Sequence, residues 1–345
     1  MKYNFFMSLR TQYENLGDYL IAQATIDILS DIGDLTLDIK NVPEKYLKLF
    51  CFPENVKLVK KSFLSTIIWN RNKKWIYVIK PGGYETNNTI KSKFKLSLIF
   101  FYFFISKVLF NAKLMKMPHS YLGKLTFIDR IYQDLFDLNI VRDKISLNNY
   151  RNKTVVLEDL ATYYFNKESK FRSQFSTEKN NITISLRYDR LNDEEKISFK
   201  LAKFLLNTEN LNEIYYVSQV TFDKELNKNI AFINQKKHIS YDITNTSLTE
   251  ITEIYNSSKY VISNRLHVLL LGKINGAIPI AIIDTKKDKK IIGSLDILNI
   301  KWIDKDKLNN ILEEKKSFCF FENDLNCTNK NILQTIKDLI RGLNF

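Results

Sequence analysis

The stretch Lys259-Tyr-Val-Ile-Ser-Asn-Arg265-Leu-His267-Val-Leu-Leu-Leu-Gly-Lys-Ile-Asn-Gly276-Ala-Ile-Pro279-Ile-Ala-Ile-Ile283 decides how the rest of the chain is read. It reads as a short apolar strand over 260–263, a tight turn into a helix, a stop at Gly276 and a second apolar strand over 279–283. Ser263 or Asn264 is the expected N-cap, because a short polar side chain accepts from the first helix N–H groups. Arg265 and His267 then fall in the first turn, where unpaired N–H groups and the helix dipole favour an anion. Spacing alone leaves two readings open. One is a ligand site at the helix mouth; the other is an arginine paired with a nearby carboxylate beside a packed histidine.

The strand–helix alternation continues on both sides. Residues 3–9 form a strand, residues 10–15 a polar loop, and Leu16-Gly17-Asp18 opens a helix through Leu29 with apolar positions at helical spacing. Asp18 is the expected cap there, and Gly17 lets the backbone turn tightly or approach a ligand. There is no GxGxxG and no Walker lysine, so no dinucleotide or P-loop site is expected. An apolar strand over 75–79 runs into Gly82-Gly83, and Leu114-Met-Lys-Met-Pro118 runs into a polar loop carrying His119 and Ser120. Arg142-Asp143 precedes another helix. After a polar, non-periodic linker over 169–181 the pattern restarts with a strand ending at Arg187. The expected division is an α/β domain over 1–168, the linker, an α/β domain over 182–328 and a C-terminal helix over 329–345. In parallel α/β sheets ligands sit at the carboxyl ends of strands, which is where most of these polar residues fall.

Composition narrows the function classes. With 345 residues, 45% hydrophobic and 26% charged, the chain has material for two cores and is not a disordered one. Its 52 basic against 38 acidic residues leave a net +14, a field that attracts nucleic acid, an anionic membrane surface or small acidic ligands. The basic residues are not interleaved with aromatics in a repeated pattern, so no nucleic-acid partner is expected. Three cysteines and three histidines show no zinc-ligand spacing, and the reading is a reduced, cytoplasmic protein with no metal and no cofactor. The aromatic run over 96–110 falls short of the ~20 apolar residues a spanning helix needs. A core helix is the preferred reading. The flanking Lys91, Lys93, Lys95 and Lys113 leave a peripheral contact with the inner face of the membrane as the alternative.

Asn15-Leu-Gly17-Asp18, then Gly82-Gly83, His119-Ser120, Arg142-Asp143 with Ser146, and Ser263-Asn-Arg265-Leu-His267 followed by Pro279, resemble in that order the polysaccharide pyruvyl transferase family. The resemblance runs from Asn15 to about Gly293; Tyr84 stands where the family often has a third glycine. It implies a GT-B-like α/β fold of two Rossmann-type parallel-sheet domains facing across a cleft, acceptor side first and donor side second. It also implies transfer of the carboxyethylidene group of phosphoenolpyruvate, a co-substrate, onto a sugar of a surface polysaccharide or its lipid-linked precursor, as a ketal. On that reading Arg265 and Arg187 hold the anionic groups and His267 moves protons. Asn15, Gly17, Asp18, Gly82, Gly83, His119, Ser120 and Arg142 are then the candidate substrate-binding residues. Two alternatives stand beside it. One is a GT-B glycosyltransferase using a nucleotide sugar, though no acidic ribose-binding motif lies near 263–293. The other is a basic membrane- or nucleic-acid-binding module with no enzymatic activity.

Overall fold

In the computed structural model, the apolar runs become strands of two all-parallel sheets, with helices between them. The structure describes residues 3–85, 89–122, 125–150, 154–163, 179–187, 194–208, 210–240, 248–286, 288–307 and 331–343. Contacts divide the chain into a first unit of residues 1–12, 18–163 and 330–345 and a second of 13–17 and 164–329. Most of the expected linker lies outside the described residues.

The first unit runs β1 (Tyr3–Ser8), α1 (Leu16–Ile32, whose opening residues group with the second unit), β2 (Gly33–Asp38), α2 (Glu44–Leu47), β3 (Val56–Val59), α3 (Phe63–Ile68) and β4 (Trp75–Ile79). It continues with β5 (Gly82–Glu85), α4 (Ile90–Phe110), β6 (Lys113–Leu122), α5 (Phe127–Asp134), β7 (Leu138–Val141), α6 (Lys144–Leu147) and β8 (Thr154–Val156). The sheet order is β3-β2-β1-β4-β6-β7-β8, with β5 paired to β6. The second unit holds β9 (Asn181–Ser185), α7 (Glu194–Thr208), β10 (Glu213–Ser218), α8 (Thr221–Ile233), β11 (Lys237–Ser240) and α9 (Leu248–Ser257). After these come β12 (Ser258–Ser263), α10 (Leu266–Ile274), β13 (Ile278–Ile283), α11 (Lys289–Ile297) and β14 (Trp302–Asp304). Its order, β11-β10-β9-β12-β13-β14, is that of a Rossmann sheet. The chain closes with α12 (Ile332–Arg341), which belongs to the first unit and pairs Lys337 with Asp31 at 2.5 Å.

Covered sheets need strands apolar on both faces, and these strands are. β12 and β13 bury Tyr260, Ile262, Ile280 and Ile282 in one core with Ile182 and Ile184 of β9, while Val261 is buried on the opposite face against Gly272 of α10. Gly276 ends α10 as expected: its φ of +76° suits a residue without a Cβ, and Ala277 donates back to the Gly272 carbonyl.

Three local expectations are corrected. Gly82 and Gly83 are not in a loop but pair in parallel with His119 and Ser120, so both of the latter lie inside strand β6. Pro118 is accommodated there because the β6–β7 ladder is irregular between Lys116 and His119. The third correction is α4. As a core helix it should be covered, yet of its residues only Phe103 and Ser106 are buried. Its apolar residues encircle the helix, so hydropathy could not tell which side would meet the sheet.

Candidate functional site

In each sheet the strand order reverses beside the first strand, between β1 and β4 and between β9 and β12. Crevices at such points, beyond the carboxyl ends of the strands, are where open α/β sheets take ligands. Arg187, Arg265 and His267 lie at the second unit's switch point and Asp18 at the first unit's, whereas Gly82, Gly83, His119, Ser120 and Arg142 do not.

In the second unit, β12 ends at Ser263 and α10 begins at Leu266 with Arg265 as its N-cap. Neither Ser263 nor Asn264 caps the helix. Ser263 Oγ donates to the Ser185 carbonyl at 2.6 Å and accepts from the Arg265 N–H at 2.9 Å, tying β12 to β9. Buried Asn264 reaches the other way, its Oδ1 accepting from the Arg187 N–H at 3.0 Å. Asn227 of α8 brackets the preceding residue, accepting from the Leu186 N–H at 3.1 Å and donating to the Leu186 carbonyl at 3.0 Å. The Arg187 and Arg265 backbones are thus fixed on either side of the switch point. The Arg265 guanidinium pairs with Asp223, a buried carboxylate in the first turn of α8. His267 follows in the first turn of α10.

The loop before α1 packs against that histidine. Asn15 forms an antiparallel bridge with Val220, and the Leu16 N–H donates to the Gln219 carbonyl at 3.2 Å. Asn15 Oδ1 accepts from the Gly17 N–H at 3.0 Å, so Asn15, not Asp18, occupies the capping position of α1. Gly17 lies so close to His267 that an added Cβ would stand 2.6 Å from Cγ and 2.9 Å from Cε1 of the imidazole. A glycine is required there by close approach, not by its backbone angles.

In the first unit, Asp18 points away from the helix cap and accepts from Thr11 Oγ1 at 2.5 Å and the Gln12 N–H at 3.3 Å. It lines a small open pocket with Ser8, Leu9, Thr11, Lys80 and Pro81, at the carboxyl ends of β1 and β4. Lys80 donates to the Arg10 carbonyl; burial lowers its amine pKa, against the opposing pull of Asp18.

His119, Ser120 and Arg142 do not join that pocket. His119 is fully buried, with Nδ1 3.0 Å from the Met117 carbonyl and Nε2 bonded to the Tyr150 hydroxyl. Since a carbonyl only accepts, Nδ1 carries the proton and Nε2 accepts from Tyr150. Burial, reinforced by Lys116, pushes the His119 pKa down to about 3. Arg142 donates to Ser120 Oγ at 2.8 Å and pairs with Asp159 at 2.5 Å, all three being buried. Their polar atoms face one another inside the sheet's packing layer. Among the described residues no group of three or more His, Cys, Asp and Glu is placed to hold a metal ion.

A model of the polysaccharide pyruvyl transferase family matches residues 15–285. The chain belongs to that family. No curated protein matches it in sequence. Among solved structures, the UDP-GlcNAc 2-epimerase of Methanocaldococcus jannaschii superposes with a TM-score of 0.59 at 12% identity, covering 99% of this chain and 100% of that one. The Neisseria meningitidis UDP-GlcNAc 2-epimerase, solved with UDP-GlcNAc, gives 0.57 at 11% over 99% and 100%. The Rickettsia bellii UDP-GlcNAc 2-epimerase gives 0.56 at 10% over 99% and 96%. At such identities the likeness is one of fold: two parallel-sheet α/β domains of GT-B type.

For a pyruvyl transferase of this fold, the residues that sequence reading gave no role, Asp223 and Asn227, or another one, Asn264 as a cap, are those that hold others in place. Asp223, Asn227 and Asn264 fix Arg265, Leu186 and Arg187. Their only signal was position: each follows a strand or sits in the helix after one, and nothing in a single sequence tells which backbone it will reach.

Proposed function

We propose that this pyruvyl transferase takes phosphoenolpyruvate as donor and forms a cyclic ketal on a sugar of a surface polysaccharide or its lipid-linked precursor. The observation that carries this reading is the α10 mouth. There an arginine held by a buried carboxylate and a histidine backed by Gly17 follow the end of β12, and a second arginine follows the end of the neighbouring β9, its backbone N–H bonded to Asn264. Phosphoenolpyruvate carries a carboxylate and a phosphate, and guanidinium groups bind both with paired N–H donors. Arg265 and Arg187 are assigned to these groups, with the N-terminus of α10 adding its dipole.

His267 acts as general acid and base. It delivers a proton to the vinyl methylene carbon, which becomes the ketal methyl group. A sugar hydroxyl attacks the adjacent carbon and gives up its proton. The carbon–oxygen bond to phosphate then breaks, a second hydroxyl of the same sugar closes the ring, and its proton leaves. One donor and one diol thus yield one ketal and one phosphate. On the acceptor side Asp18 and Lys80, in the first unit's pocket, are suited to orienting sugar hydroxyls. The gene product then works in the cytoplasm, where the donor is made.

The test is phosphate release from phosphoenolpyruvate in the presence of glycan or lipid-linked acceptor. His267→Ala and Arg265→Lys, the latter keeping a charge opposite Asp223, are each expected to lose turnover at least a hundredfold with an unchanged melting temperature. Near-normal turnover by His267→Ala would remove the assignment. Stabilisation of the wild type by a UDP-sugar and none by phosphoenolpyruvate would replace the whole reading with nucleotide-sugar transfer.

A further inference from the structure

The exposed face of α4 (Ile90–Phe110) departs from the usual scatter of single surface apolar residues. Ile90 is 88% exposed, Phe94 67%, Leu98 55%, Phe101 59%, Ile105 41% and Val108 62%. At ~100° per residue these six fall within an arc of about 80°, running the length of a helix roughly 30 Å long. Phe103 and Ser106, the buried pair, lie on the opposite side. The result is one straight apolar ridge. Side chains of this size cover some 150–250 Å² each when aromatic, so the ridge exposes several hundred Å².

Charge lines both margins. By the same wheel Lys91 and Lys95 flank the ridge on one side and Lys93 on the other, at the N-terminal half. The helix contains no acidic residue. Lys107, near the other end, is occupied within the unit by the Leu135 carbonyl and Asp137. Both ends are closed independently of any partner. Thr89 Oγ1 accepts from the Ser92 N–H at 3.3 Å, and Asn111 at a φ of +48° returns its N–H to the Ser106 carbonyl. The ridge is therefore a finished helix and not a segment waiting to fold. Alongside, α5 packs on α4 and exposes Phe127 and Ile131.

We infer that α4 is an interfacial helix that lies along an anionic phospholipid surface. Its apolar ridge enters the acyl boundary and Lys91, Lys93 and Lys95 extend to the phosphates. Lysines on both margins of an apolar stripe suit that surface, since their stems lie along hydrocarbon while the ammonium groups stay at headgroup level. A second copy of the same face would bring like charges together. A convex ridge also offers no groove to a peptide. The helix lies on the membrane and does not span it: no helix among the described residues is long and apolar enough to cross. This inference is independent of the proposed chemistry. With it, a lipid-linked acceptor would be met in two dimensions.

Flotation of the full chain with vesicles tests it, using phosphatidylcholine alone and equimolar phosphatidylcholine and phosphatidylglycerol. The wild type is expected to float with the anionic vesicles and at least tenfold more weakly with the neutral ones. Phe94→Ser/Leu98→Ser/Phe101→Ser should lose binding tenfold or more. Lys91→Glu/Lys93→Glu/Lys95→Glu should lose the preference for anionic lipid. Both sets lie on the open side of α4, with only Lys93 half-buried, so unchanged melting curves are expected and serve as the folding control. Absence of wild-type flotation on either vesicle overturns the inference, as does equal binding to both. A wild-type dimer in light scattering that the serine variant converts to monomer, without lipid binding, assigns the ridge to a second copy instead.

Discussion

Replacing Gly17 by alanine isolates the contact that links the start of α1 to the imidazole of His267. The new methyl group would stand 2.6 Å from Cγ and 2.9 Å from Cε1, against the ~3.5 Å at which carbon atoms pack without repulsion. Gly17 is held by its N–H bond to Asn15 and by the helix it opens, so the ring yields rather than the backbone. Restoring contact distance moves the imidazole by about 1 Å, a displacement that costs on the order of 10²-fold when the group is a proton donor to a fixed carbon. Stability changes far less. Overpacking costs ~1–3 kcal/mol, but alanine in a helix returns ~1 kcal/mol over glycine, leaving a net loss of at most about 2 kcal/mol.

The expected signature is therefore a split. Phosphate release from phosphoenolpyruvate falls about a hundredfold, while a urea titration shows a folded protein. With only three histidines in the chain, the imidazole resonances can be assigned by single substitutions. Those of His267 should move in Gly17→Ala while those of His238 stay in place. Wild-type turnover together with a displaced His267 resonance would refute the role given to the ring. An undisplaced resonance would refute the packing itself.

Two further outcomes follow from the buried groups of the first unit. The His119 pKa of about 3 lies below the ~6.5 of an unfolded histidine, so its contribution to stability is complete above pH 6.5 and drains as pH falls toward 3. Between pH 7 and pH 5 the wild type should lose about 2 kcal/mol in urea titrations that His119→Asn does not lose, and equal losses would refute the burial. Asp159→Ala strands the buried Arg142 charge and should cost ~3–5 kcal/mol, whereas Arg142→Met/Asp159→Leu should recover most of it. If that double variant folds but no longer binds phosphoenolpyruvate in calorimetry, Arg142 contacts ligand as well as Asp159.

Much of the architecture was legible because parallel strands buried on both faces announce themselves as apolar runs, and the residues after them fall at strand ends by necessity. Ser263-Asn-Arg265 was placed in this way. What failed had a common physical cause. His119 and Ser120 read as loop because Pro118 precedes them, yet an irregular ladder lets the strand continue, and pairing with Gly82 and Gly83 buries them. The α1 cap went to Asn15 and not Asp18 because the loop's bridge to Val220 sets where the helix starts. Large apolar residues occur all round α4, so only the sheet it meets decides which of them are covered. In each case the deciding partner lies far away in sequence, where period and propensity carry no information.

The same holds for the two readings left open at Arg265. Pairing with a carboxylate and serving a ligand looked like alternatives, and the ion pair with Asp223 favours the first on its face. Burial changes that inference. Asp223 is 1% exposed but the Arg265 side chain keeps 18% of its surface open, so the guanidinium is covered on the carboxylate side and still reachable on the other. A guanidinium presents five N–H groups in one plane, enough to serve a carboxylate and a second anion at once. Holding the side chain beforehand removes rotamer entropy that a loose arginine would lose on binding, about 0.5–1.5 kcal/mol for such a side chain. Asp223 also tempers the charge, which on the proposed chemistry limits how tightly the phosphate product would be retained. Asp223→Asn should on this argument leave Arg265 in place and weaken turnover more through slow product release than through lost donor affinity.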